Sequence, residues 1–344
     1  MNTTSSSRRI GVALIGAGMI AQTHIEALSA AKSGLQLKAI LSRTPDMARY
    51  LNAYYDGPSP VFTSDLAQIT NDPTIDFVIV ATPPSVRIDL ITTLAQAGKH
   101  ILLEKPVART LAEAKEVVQI CQNAGVTLGV LFQFRKRAPS LMAHRILAKG
   151  RLGRLGHVEI SVPLWRSQAY YDELGRGTYA RDGGGVLLTQ AIHTLDLALS
   201  FTGPVASVQA MTATTPLHDM EAEDFAAAGL RFANGAVGSL TASTATYPHG
   251  LESLTLHYEH GSMRIDKDRL DLHWRNGAVE HFPPPGYAKP EKHEWHQAVI
   301  EDFAKAIATG TPPMVSGTAA LGVHHLIDAI ETSSRLGQVV TCPV

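Results

Sequence analysis

Glu104-Lys105-Pro106 closes a short apolar run, Ile101-Leu102-Leu103, bounded by Gly98 and Pro106. An apolar run without alternation has the form of a parallel strand buried on both faces. Lys105 then stands at the strand's carboxyl end, the edge at which open α/β sheets bind ligands, and Pro106 directs the chain away from the sheet. A lysine so placed could take a proton from a hydroxyl when neutral and return it when charged. Taken as an isolated tripeptide, it is a solvated loop lysine. The second group is Gly183-Gly184-Gly185 leading into a helix from Val186 to Phe201. On it Thr189, His193 and Asp196 are four and three residues apart and so share a face, beside an apolar stripe of Leu188, Ile192 and Leu195. Gln190 lies on the same helix. Trp165, Tyr171, Arg176, Tyr179 and Arg181 add aromatic faces and hydrogen-bond donors that suit a polyhydroxylated ligand, though each is equally at home in a loop or a subunit contact. His193 alone reads as a capped or core-edge histidine. With Asp196 it lacks a third metal ligand at a telling spacing, and neither His293-Glu294-Trp295-His296 nor His324-His325 matches a zinc-protease helix, so no metal is expected.

These groups need a second reactant, and the amino-terminal region supplies a place for one. The strand candidate Ile10 to Ile15 runs into Gly16-Ala17-Gly18-Met19-Ile20-Ala21 and then a helical pattern. In G-x-G-x-x-A the first glycine permits the tight turn, the second lets backbone approach a pyrophosphate, and the small sixth residue lets helix pack on strand. About 20 residues on, where a ribose-binding carboxylate is expected, the chain reads Leu41-Ser42-Arg43-Thr44, with no acidic residue between Glu26 and Asp46. Arg43, with Ser42 and Thr44, offers donors to a 2′-phosphate, so NADP is expected in preference to NAD; an arginine stacked on adenine would fit either. Ala81-Thr82-Pro83-Pro84, after a later strand, could line the cofactor channel or be an ordinary loop. Glu104 beside Lys105 is expected to orient rather than titrate.

The elements that must position these residues are legible as alternating strand and helix patterns up to about residue 131, the signature of a doubly wound parallel sheet. From Phe132 strand candidates dominate: His157 to Trp165, Val205 to Thr214, Phe225 to Phe232, Ala236 to Ala245, Glu252 to Glu259, Ser262 to Ile265, Leu270 to Trp274 and Ala278 to Phe282. Asn234-Gly235, His260-Gly261 and Asn276-Gly277 read as hairpin turns between them. Helices are expected from Glu294 to Ala308, after a Pro283-Pro284-Pro285 loop, and from Thr318 to Arg335. The expected division is a disordered tail at 1–8, a dinucleotide-binding domain at 9–131, and a substrate-binding and oligomerisation domain at 132–344 with a large, mostly antiparallel open sheet.

At 344 residues, 45% hydrophobic and 18% charged, the chain has the composition of a globular protein with room for two cores. Thirty basic against 31 acidic residues leave no bulk field for nucleic acid or an anionic membrane. Two cysteines, Cys121 and Cys342, make no disulfide framework and suit a cytoplasmic location. Ser7-Arg8-Arg9 before an apolar stretch could be an export signal, but cleavage there would remove the glycine turn, so a strand is the expectation.

Taken together, Gly16-x-Gly18-x-x-Ala21, Ala81-Thr82-Pro83-Pro84, Glu104-Lys105-Pro106 and Gly183-Gly184-Gly185 followed by His193-x-x-Asp196 resemble the glucose-fructose oxidoreductase and inositol dehydrogenase (Gfo/Idh/MocA) family. The resemblance spans nearly the whole chain. It implies a Rossmann domain followed by an α/β domain whose open sheet forms homodimer or homotetramer contacts. The implied activity is nicotinamide-dependent oxidation or reduction of a sugar, cyclitol, sugar acid or nucleotide-sugar, with Lys105 as catalytic lysine and His193 facing the substrate. Two departures stand out. Thr189 occupies a position where family dehydrogenases often carry Asp, and Arg87 one where histidine is frequent. The same fold also accommodates an NAD-dependent glycosidase and a non-catalytic ligand sensor; retention of Lys105 and His193 argues against the sensor.

Overall fold

The computed structural model describes residues 9–32, 34–283 and 290–342. Six parallel strands form the first sheet: β1 (Ile10–Ile15), β2 (Leu35–Leu41), β3 (Val61–Thr63), β4 (Phe77–Val80), β5 (His100–Glu104) and β6 (Leu128–Leu131), in the order β3-β2-β1-β4-β5-β6. Four of them, β1, β4, β5 and β6, are buried almost throughout, as their unbroken apolar runs require. The order reverses between β1 and β4, the switch point at which such sheets open a crevice at their carboxyl edge.

The second sheet has nine strands: β7 (Leu155–Pro163), β8 (Val205–Ala213), β9 (Phe225–Phe232), β10 (Val237–Ser243), β11 (Ser253–Tyr258), β12 (Gly261–Asp266), β13 (Leu270–Trp274), β14 (Val279–Phe282) and β15 (Val340–Thr341). Their order is β14-β13-β12-β11-β7-β10-β9-β8-β15, antiparallel except where β10 lies parallel to β7. Along β7, Val158, Ile160 and Val162 are buried, while His157, Glu159 and Ser161 point to the other face. One face therefore holds the core and the other is left largely polar.

The two halves of the chain share a core. The helix Lys292–Thr309 returns to the first sheet, where Val299, Ile300, Phe303 and Ala304 pack with Val12, Leu14, Phe77 and Leu102. Phe303 meets Phe77 edge to face at 5.3 Å between ring centres. A Cβ on Gly129 of β6 would stand 2.6 Å from the Phe303 ring, so only glycine admits this contact. The following helix, Gly317–Leu336, is capped by Ser316, whose hydroxyl accepts from the Ala319 amide.

Two sequence expectations are modified. The helix from Val186 is not regular: Leu187–Ala191 form a π-helical turn before the α-helix Ile192–Thr202. His260-Gly261 is not a positive-φ hairpin turn like Gly235 and Gly277. Instead Gly261 opens β12, where a Cβ would come within 2.7 Å of the His273 carbonyl. Pro284 and Pro285 lie outside the described residues.

Candidate active site

The strand order places the carboxyl ends of β2, β1, β4 and β5 side by side. The Ser42-Arg43-Thr44 turn, the glycine turn, Ala81-Thr82-Pro83-Pro84 and Lys105 thus line one edge. Gly16 has φ +107°, and a Cβ there would lie 2.9 Å from the Ala81 carbonyl, so the first turn packs on the second only with glycine. At Gly18 a Cβ would meet nothing within 4 Å; its site is open space at the start of the helix Ala21–Ala30. Ile20 begins that helix with no side-chain cap, its first turn holds no acidic residue, and Met19 is exposed. The helix's positive end is thereby left to an anion. The Thr82 hydroxyl is buried without a partner among the described residues, facing the same region. An open glycine cradle, an uncapped helix start and an orphaned hydroxyl together fit a dinucleotide. Gly16, Gly18, Met19, Ile20 and Thr82 would hold its pyrophosphate side, with exposed Arg43 and Thr44 at the end of β2 beside the ribose.

Arg87 binds this edge together. Fully buried, it donates to the Thr82 carbonyl from Nε and Nη2 at 3.1 and 2.7 Å and to the Glu104 carbonyl at 2.7 Å. It also donates to the carbonyls of Pro106 and Val107. One guanidinium ties the Thr-Pro-Pro turn to Glu-Lys-Pro. Burial lowers its pKa to about 10, which leaves it charged at neutral pH.

Glu104 turns away from Lys105. Its side chain accepts from or shares a proton with His24 Nε2 at 3.0 Å, and His296 Nε2 lies 3.9 Å away. Burial alone would raise the carboxyl, but the His24 hydrogen bond and the charges of His24, His296 and Lys105 hold it at about 2. Glu104 is thus an ionised anchor under β5.

Lys105, half-buried, donates from Nζ to the Thr189 carbonyl at 2.8 Å. The partner that position 189 gives Lys105 is thus a main-chain oxygen, while the Thr189 hydroxyl turns back to the Gly185 carbonyl at 2.6 Å. Burial lowers the Lys105 pKa from 10.5; Glu104 and Glu252 oppose this, and Arg87 and Arg166 reinforce it.

His193 is buried, stacked on Phe134 at 4.6 Å and edge-on to Phe132 at 6.0 Å. Burial keeps its pKa well below 6.5, helped by Lys105, Arg137 and His296, so it is a neutral imidazole at pH 7. Asp196 is buried against Arg135, which grips it with Nε at 2.7 Å and Nη2 at 2.6 Å, so its carboxylate is committed to Arg135. The π turn contains Thr189 and so breaks the α-helical spacing between it and His193, whereas the partner of Asp196 comes from another element.

The wall expected from Tyr171, Arg176 and Trp165 is largely satisfied internally. Tyr171 Oη meets Thr244 Oγ1 at 2.6 Å, and burial raises its pKa to about 12. Arg176 pairs with Glu173 and lies over Tyr170, Arg181 pairs with Glu173, and Trp165 packs on Tyr247 and His218. Tyr179 is exposed, with its amide on Glu221 at 3.1 Å. Gln190 receives Arg166 Nη2 at 2.8 Å and donates to Tyr170 Oη at 3.2 Å.

Three groups around Lys105 and His193 escaped the sequence reading. Arg166 follows the end of β7, and its Nε is buried without a partner among the described residues. Glu252 accepts from Thr194 at 3.2 Å, and burial raises its pKa. Arg137 lies over the Phe134 ring at 3.0 Å.

Comparison with known proteins decides the family. Residues 10–132 match the oxidoreductase family with an NAD-binding Rossmann fold, and residues 140–264 match the GFO/IDH/MocA C-terminal domain. The chain belongs to the Gfo/Idh/MocA family. Among its relatives in that family, D-apiose dehydrogenase of Paraburkholderia graminis is 26% identical, covering 98% of this chain and 91% of its own. The WlbA dehydrogenase of Bordetella pertussis, solved in complex with NADH and UDP-GlcNAcA, is 30% identical with a TM-score of 0.85, covering 98% and 100% of the two chains. Levoglucosan dehydrogenase in complex with NADH is 25% identical with a TM-score of 0.89, covering 97% and 99%. Like other Gfo/Idh/MocA proteins, this one is an oxidoreductase with a nicotinamide-binding Rossmann domain. Among the described residues no helix is long and apolar enough to cross a membrane.

Proposed function

We propose that this protein interconverts a hydroxyl and a carbonyl on a sugar, cyclitol, sugar acid or nucleotide-sugar, with Lys105 handling the proton and NADP as the preferred cofactor. The observation that carries the proposal is Lys105 itself. It stands at the end of β5, held by the Thr189 carbonyl at 2.8 Å, with its pKa lowered by burial. When bound, the nicotinamide supplies the hydride acceptor in oxidation and the donor in reduction. In oxidation the neutral Lys105 amine removes the hydroxyl proton; in reduction its ammonium protonates the oxygen of the forming alcohol. Neutral His193, fixed between aromatic rings, orients the same hydroxyl by a hydrogen bond. Arg166 and Gln190 offer further polar contacts to a hydroxylated substrate. The sugar substrates of the relatives support the substrate class, and Arg43 with Ser42 and Thr44 supports the phosphate-bearing cofactor. The test is a panel of sugars, cyclitols, sugar acids and nucleotide-sugars with NAD and NADP, following absorbance of the reduced cofactor in both directions. Absence of turnover across the panel with a binding-competent protein would count against the reading.

A further inference from the structure

Far from the glycine turn, on the polar face of the nine-stranded sheet, three metal-ligating side chains converge. His157 and Glu159 are two residues apart on β7 and so point to the same side. His257 on β11 is the antiparallel partner of His157, while Glu159 pairs with Thr255. Each side chain offers one ligand atom, and these atoms all lie within 4.8 Å of one another. The His157 and His257 rings lie parallel, 11° apart in plane and 5.2 Å between centres. His257 Nε2 is 3.7 Å from Glu159 Oε1 and has no hydrogen-bond partner among the described residues. Its other nitrogen is occupied: Nδ1 meets Ser262 Oγ at 2.8 Å, and Ser262 is the residue opposite His257 on β12.

We infer that His157, Glu159 and His257 form a binding site for a divalent transition-metal ion of the zinc class. Two imidazoles and one carboxylate are a donor set that suits zinc, cobalt, nickel or ferrous iron rather than magnesium or calcium, which take oxygen. One carboxylate beside two imidazole donors complements the charge of a dication. The Nδ1 contact with Ser262 Oγ fixes the ring, and in the tautomer with the proton on Nδ1 the Nε2 lone pair is free for a metal, the outer arrangement usual for metal-bound histidines. Bonds of about 2.0 to 2.2 Å bring tetrahedral ligand atoms to roughly 3.4 Å apart. The closure needed is therefore at most about 1.4 Å, within reach of side-chain rotation in these three partly or largely exposed residues. A groove of about 500 Å³ lined by His157, His257, Asn234 and Glu259 opens beside the cluster on each single chain. Arg154, in its wall, is drawn aside to Glu259 at 3.3 Å. The ion would clip β7 to β11, with its remaining position taken by water or by a group from a second copy of the chain. This site is independent of hydride transfer.

Zinc chloride titrated calorimetrically into the untagged, EDTA-washed protein should show one ion bound per chain. His157→Gln and His257→Gln should lose it, and Glu159→Gln should weaken it by at least about tenfold. Ser262→Ala keeps all three donors but frees the His257 ring, and should weaken binding by about tenfold. Failure of the wild type to take up zinc, or affinities unchanged across the four variants, would overturn the assignment.

Discussion

The Arg87 guanidinium donates to the carbonyl of Glu104 at 2.7 Å while also holding the Thr82 carbonyl, so one buried cation fixes the relation between two turns at the sheet's carboxyl edge. Removing it strands carbonyls that water does not reach, and each unsatisfied group costs about 1 to 3 kcal/mol. Arg87→Ala is expected to destabilise the fold by at least about 3 kcal/mol and to weaken cofactor binding. Thermal denaturation reads the first effect and fluorescence titration with reduced cofactor the second. A melting temperature within a degree or two of wild type would show that the carbonyls find other partners.

Acid should weaken this protein in two steps. His324 is buried and accepts from the Val107 amide at 3.1 Å through Nε2, so it must be neutral, and burial lowers its pKa to about 4. The unfolded chain takes up a proton near pH 6.5 that the folded chain refuses, so stability falls as pH drops from about 6.5 toward 4. His296 behaves likewise. Glu104, held at about 2, adds stability that is complete above its ordinary 4.5 and is lost as pH falls from there toward 2. His324→Gln keeps an acceptor without a titrating group and should flatten the upper step, by on the order of 3 kcal/mol. Glu104→Gln should flatten the lower one. Denaturant melts at pH 7, 5 and 3 read both; parallel curves for wild type and variants would refute the assignment.

The face of the second sheet that carries Met211 and Val237, both exposed, faces away from the core. Burying exposed apolar side chains on a broad sheet face is a common drive to symmetric assembly. We expect a homodimer or homotetramer formed through this face. Light scattering at micromolar concentration should report one of them, and Met211→Lys with Val237→Lys should shift the mass toward monomer. A monomeric wild type would sink the expectation.

How much of this was legible in the sequence depends on distance along the chain. Gly16, Gly18 and Lys105 were visible because a glycine turn or a residue at a strand end carries its signal in its neighbours. His24 holds Glu104 from 80 residues away, and no local pattern pairs them. Asp196 shows the limit of periodicity: helical spacing placed it with His193, yet Arg135, 61 residues earlier, claims it. The run Arg135-Lys136-Arg137 carries no local signal of its partners. In the fold its members separate, to Asp196, to Asp302 at 2.9 Å and onto the Phe134 ring. The metal-ligating trio was equally hidden, because His157 and His257 meet only through strand pairing.

Cofactor choice rests on Arg43, exposed after β2 where no carboxylate stands. If its guanidinium holds a 2′-phosphate, Arg43→Ala should weaken NADP by about 1 to 3 kcal/mol, as expected for a charge-assisted contact, and leave NAD nearly unchanged. Equilibrium titration of both cofactors decides it. Equal losses for the two, or tighter NAD binding by the wild type, would show that Arg43 only stacks on adenine.

Lys105 carries the largest expected effect. Its Nζ is fixed on the Thr189 carbonyl, and burial has lowered its pKa below 10.5, so a neutral amine becomes available at a pH the free side chain would not allow. The direction of pH dependence follows. Oxidation uses the neutral form and should accelerate as pH rises through the lowered pKa; reduction uses the ammonium and should slow over the same range. Lys105→Met keeps the bulk of the stem and deletes the titrating group. It should reduce turnover by about 10²- to 10⁴-fold, remove that limb of the pH profile, and leave cofactor affinity intact. His193→Asn should raise KM with a smaller loss of kcat, since a neutral ring held between Phe132 and Phe134 orients rather than ionises. The decisive measurement is the kcat profile of Lys105→Met from pH 6 to 10 in both directions: a profile still parallel to wild type would place proton transfer on another group, with Glu252, whose pKa burial raises, the next to test.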